Sequence, residues 1–138
     1  SLGAWFVDGT VVNADNIETD VMLKMAQEAI DDVPFKLICD VAKRVFADDD
    51  YTGPFEFEEQ LSRVDCPAFV MSGAVDGIAP PSAVERAALR LGSRQVRYRE
   101  MGTRFGDCID YGHIDLLVGK HAPDEVFPRV IEFLKEHD

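Results

Sequence analysis

Apolar positions recur at two different periods along this chain. In the first half the spacing is helical. Ile17, Val21, Met22, Met25, Ala26, Ala29 and Ile30 fall on one face of a helix, with Asn16 placed to cap its start. Pro34 suits the first position of a second helix after Asp31 and Asp32, and Phe35, Ile38, Ala42, Val45 and Phe46 form its stripe. Phe57, Leu61 and Val64 predict a short third helix. Ahead of them, residues 4–7 and 10–12 read as two short strands around the Asp8-Gly9 turn. The apolar stripes of the first two helices fit a core, and Met22, Met25, Phe35 and Phe46 also suit adaptable apolar contact in a pocket.

The second half changes period. Residues 67–72 form a short apolar run of the kind found in buried strands, and a loop follows through Pro80. Val84, Ala87, Ala88 and Leu91 predict a helix over residues 81–91, stopped by Gly92. Val96 and Tyr98 alternate with charged residues, which predicts a strand over residues 95–100. After a glycine-bearing loop over residues 102–112, an amphipathic helix spans residues 123–137. Its inward face reads Val126, Phe127, Val130, Ile131 and Leu134, and Pro128 kinks it or marks its true start. Strands alternating with helices predict an α/β fold with a parallel sheet and flanking helices. Such sheets place chemistry in the loops beyond the carboxyl ends of their strands.

Composition narrows the function classes. Fourteen Lys and Arg against 26 Asp and Glu give the 138 residues a net charge of −12. A chain so acidic repels nucleic-acid backbones and anionic membrane surfaces. No apolar run reaches the length of a membrane-spanning helix, and residues 1–12 lack the pattern of a secretory leader. Cys39, Cys66 and Cys108 are three cysteines at uneven spacing without a Cys-x-x-Cys pair, which points to a reducing cytoplasm rather than a disulfide scaffold.

Two loops of the second half carry the candidate chemistry. Asp76 follows the first strand, and His113 follows the second. On neighbouring parallel strands both side chains emerge on one rim, where an Asp that orients a His forms two members of a nucleophile–His–acid triad. The bland alternatives are an Asp76-Gly77 turn cap and a structural His113. His121 and His137 read as surface residues, and Cys108 as a small buried hydrophobe. Asp115 caps a short helix or bonds local backbone, and with Asp107, Asp110 and His113 it also makes a loose metal-type cluster without helical ligand spacing. A separate acidic loop over residues 48–59 resembles a calcium-binding EF-hand loop. Asp48, Asp50, Thr52 and Glu56 stand at ligand positions, Gly53 at the turn and Glu59 at the bidentate site, and a solvated connecting loop is the rival reading.

Residues 66–80, Cys-Pro-Ala-Phe-Val-Met-Ser-Gly-Ala-Val-Asp-Gly-Ile-Ala-Pro, resemble the penultimate strand and acid loop of α/β-hydrolases. Residues 111–117, Tyr-Gly-His-Ile-Asp-Leu-Leu, resemble their catalytic-histidine loop, and residues 119–128 with the last helix are similar to the end of lipase-like members. The resemblance covers residues 64–138 and implies that Asp76 is the triad acid and His113 the base. It implies a partial hydrolase-type sheet over 64–138, preceded by a helical cap-like segment over 1–63. In this fold the nucleophile precedes the acid on a Gly-x-Ser-x-Gly elbow. Ser1, Ser62, Ser72, Cys39 and Cys66 all lack those flanks. The expectation is therefore the C-terminal part of an esterase- or lipase-like hydrolase, acting on small acyl or ester substrates without a cofactor and inactive alone. It would associate with itself or with a missing nucleophile-bearing part. The alternative from another class is a non-catalytic binding or regulatory module, calcium-binding at 48–59.

Overall fold

Period-two alternation in the second half builds a sheet with two different faces. The structure, a computed structural model, describes residues 12–28 and 60–138. Among these, helix α1 spans Thr19–Glu28, strand β1 Ala68–Gly73, helix α2 Pro81–Leu89 and strand β2 Val96–Met101. Three helices close the chain: α3 Asp115–Val118, α4 Ala122–Glu125 and α5 Phe127–Glu136. Short 3₁₀ turns occupy Ala14–Asn16 and Thr103–Phe105. The fold class is mixed α/β. Strands β1 and β2 pair in parallel, from Ala68 opposite Val96 to Gly73 opposite Met101.

One face of the sheet takes α2, which packs on both strands. There Ser72 Oγ and Tyr98 Oη lie 2.7 Å apart across the strands, and the Tyr98 hydroxyl reaches the Pro81 carbonyl at the start of α2. Burial raises the Tyr98 phenol above its ordinary pKa. The other face takes the C-terminal helices. Phe69 meets Phe133 at 5.5 Å between ring centroids, and the Arg97 guanidinium lies 5.9 and 5.6 Å from the two rings. Met101, Tyr111, Ala122 and Val126 form the buried core beneath it, with Met71, Ile109, Leu116 and Val130 packed around. A second small cluster joins Val12 and Ile17 to Val21 and Met22 of α1, and to Ile114.

Several expectations need revision. Asn16 does not cap α1: it closes the 3₁₀ turn, is wholly buried, and its side chain is committed to distant partners. The helix at 81–91 ends at Leu89, with Arg90 as its C-cap. Pro128 marks a true start, lying in the first turn of α5 after a separate α4. Of the face expected to be inward, Val126 is buried but Phe127, Ile131 and Leu134 are exposed. Phe133 is buried instead, because it packs against the sheet at Phe69. Among the described residues no helix is long and apolar enough to cross a membrane. All but Val12 of the hairpin at 4–12, the helix from Pro34, the start of the helix at 57–64 and the acidic loop at 48–59 lie outside the described residues.

Candidate functional site

The two strand ends place the site. Beyond β1 the backbone stays attached to its neighbours: Ala74 N–H donates to the Met101 carbonyl, and Val75 N–H donates to the Tyr111 carbonyl at 3.0 Å. The acid loop and the histidine loop are thus hydrogen-bonded to each other directly. Gly73 allows that approach. A Cβ there would collide with the Tyr111 carbonyl and lie 2.6 Å from the carbonyl oxygen of Gly112.

Asp76 sits at the next turn, with its side chain 2% exposed. Its Oδ1 accepts the backbone N–H groups of Ile78 at 2.9 Å and Ala79 at 2.8 Å. This closes the Asp-Gly turn and fixes the carboxylate. Its Oδ2 lies 2.8 Å from His113 Nδ1. An ionised carboxylate only accepts, so Nδ1 carries the hydrogen and Nε2 is left as the acceptor. The His113 side chain is 42% exposed. The turn-cap reading of Asp76 and the histidine-orienting reading therefore both describe the molecule, one for each oxygen.

Carboxylates brace the long loop after β2. Asp107 Oδ2 accepts the Gly102 N–H at 2.7 Å, and its Oδ1 meets Arg99 at 3.0 Å and Arg129 at 3.1 Å. Asp110 Oδ1 accepts both the N–H and the hydroxyl of Thr103. Tyr111, wholly buried, donates its hydroxyl to Glu125 Oε2 at 2.8 Å. Burial pushes the Tyr111 phenol well above its ordinary pKa, and the facing Glu125 adds to the shift. Burial alone would raise Glu125, but hydrogen bonds from the Cys108 N–H and the Tyr111 hydroxyl outweigh it and hold the carboxyl below its ordinary value. Asp107 and Asp110 are thus loop braces. Among the described residues no three His, Cys, Asp or Glu side chains come together as a metal site.

The other nucleophile candidates are placed as follows. Ser72 is buried and bonded to Tyr98. Cys66 is exposed. Cys108, expected to be buried, is also exposed, since its loop turns outward, and Glu125 accepts its N–H at 2.8 Å. The hydrogen bond and negative charge of Glu125 push the Cys108 thiol up, away from the thiolate a nucleophile needs. Ser1 and Cys39 lie outside the described residues. His137 Nδ1 bonds the Phe133 carbonyl, and His121 is half-buried at the head of α4.

Asp115, wholly buried in the first turn of α3, accepts the Gly112 N–H and the Asn16 amide on Oδ2. The sequence suggested the local bond. Nothing in it signalled the partner 99 positions upstream. The chain matches no family model, no curated protein and no solved structure.

Proposed function

We propose that Asp76 and His113 are the acid and base of a hydrolase that acts on carboxylic esters or related acyl substrates, with the nucleophile supplied from outside this chain. The observation that carries the reading is the 2.8 Å pairing of His113 Nδ1 with Asp76 Oδ2 at the carboxyl ends of adjacent parallel strands, with the acid buried and the imidazole open on its other side. The resemblance of residues 64–138 to α/β-hydrolases supports it.

In this scheme Nε2 takes the proton of a serine or cysteine as that atom attacks the acyl carbon. The imidazolium, stabilised by Asp76, then hands the proton to the departing alcohol, leaving an acyl-enzyme. Water attacks the acyl carbon next, Nε2 takes its proton, and the nucleophile leaves reprotonated with release of the acid. The scheme calls on no cofactor. Association with a nucleophile-bearing part completes the site.

The test is turnover of p-nitrophenyl butyrate by the polypeptide as its natural source produces it, together with its intact mass. A mass above the 15.4 kDa of this chain, with turnover that falls by about 10³-fold or more in His113→Ala, is the expected result. Turnover that survives His113→Ala, or a 15.4 kDa polypeptide that shows none in any association state, overturns the proposal. The 138-residue chain by itself is expected to show no turnover that depends on His113.

A further inference from the structure

Residues 13–16 bracket the histidine loop from both sides. Asn13 Nδ2 donates to the Asp110 carbonyl at 2.6 Å, before His113. The Asn16 carbonyl accepts the Lys120 N–H at 2.6 Å, and Asn16 Oδ1 accepts the His121 N–H at 3.4 Å, after it. Between these, Asn16 Nδ2 donates to Asp115 Oδ2 at 3.1 Å. The same oxygen takes the N–H of Gly112, the residue directly before His113, at 2.9 Å.

Asp115 is an expensive way to make that tie. It is wholly buried, and its Oδ1 has no hydrogen-bond partner among the described residues. A carboxylate buried with one oxygen unsatisfied costs far more than an amide, and an asparagine oxygen could accept the same two N–H groups. What the carboxylate adds is stronger, charge-assisted holding of Gly112. Packing is equally close there: a Cβ on Gly112 would lie 2.7 Å from Asp115 Oδ1 and 3.0 Å from both the Asn13 nitrogen and the Val12 Cα.

We propose that Asp115 is a positioning residue for His113. It acts through the Gly112 N–H and through Asn16, so that docking of residues 13–16 sets the imidazole against Asp76. The inference rests on the acid–base reading of that pair, and it is tested without turnover.

The readout is the ring nitrogen signature of His113 by NMR in the ¹⁵N-histidine-labelled 138-residue chain. Asp76→Asn serves as the reference for a broken pair. Wild type is expected to show Nδ1 protonated and Nε2 bare. Asp115→Asn and Asn16→Ala are expected to lose that preference and move toward the Asp76→Asn pattern, while far-UV circular dichroism and the β1–β2 amide resonances stay in place. A folded Asp115→Asn and a folded Asn16→Ala that both keep the wild-type ring signature overturn the proposal. If Asp115→Asn does not fold, Asn16→Ala alone decides. If neither folds, the tie is a folding element and the proposal fails. Ester turnover enters none of these outcomes, so failure of the hydrolase reading and failure of this one are read separately.

Discussion

Asp76 divides its labour between two oxygens, and substitution separates them. In Asp76→Asn the side-chain oxygen can still accept from Ile78 and Ala79, so the turn survives. The amide nitrogen then faces His113 Nδ1 as a donor and forces the opposite tautomer. The expected outcome, measured on the polypeptide from its natural source, is a fall in kcat of about 10⁴-fold with little change in melting temperature. Gly73→Ala does the reverse. Its Cβ runs into the Tyr111 carbonyl, and the expected cost, read from urea midpoints, is about 1–3 kcal/mol of stability. At this scale the order of Asp76 and His113 after two strands predicts a shared rim, and their side chains do meet there; the spacing fits a turn cap and a structural histidine equally, and the acid and base roles come only from the resemblance. Asn16 misled, because an Asn before an apolar helix pattern signals a cap, while its real partners sit about a hundred residues further on. Cys108 misled because a hydrophobicity scale does not know which way a loop turns.

Elements here are held by polar braces as much as by apolar faces. The loop after β2 is anchored to α4 through Tyr111, Cys108 and Glu125. Its pH dependence follows from the two shifts. As pH falls below about 4.3, the unfolded chain protonates this carboxyl first, because folded Glu125 holds out lower. The brace's contribution is thus present above that value and lost as pH drops through the folded pKa. As pH rises past about 10, the unfolded chain loses the tyrosine proton first, because folded Tyr111 retains it. Stability falls again on that side. Urea midpoints across pH are expected to show both limbs, the acid one flattened by Glu125→Gln and the alkaline one by Tyr111→Phe. Element types were readable from periodicity over residues 67–101, where short strands and a helix are bounded by Pro and Gly. Residues 123–137 were harder: Pro128 starts a new helix, and the buried stripe rotated to Phe133 to follow the sheet.

For the whole molecule, the order strand, helix, strand, helix was enough to read an α/β chain with a parallel pair, and two described strands are what it shows. What the pattern could not reveal is which apolar face stays uncovered. Phe127, Ile131 and Leu134 recur along α5 at helical spacing and are exposed. The expected outcome is reversible self-association: the weight-average mass in sedimentation rises with concentration, and Ile131→Glu with Leu134→Lys lowers it. A sharp monomer at high concentration would count against this. One modest bond gives access to the site's own opening. The Val75 amide hydrogen is held by the Tyr111 carbonyl, so it trades for deuterium only when the acid loop and the histidine loop part. Its exchange rate is a clock for that separation. Compared with amides inside β1, it would tell whether the pair of loops breathes by itself or opens only when the sheet does.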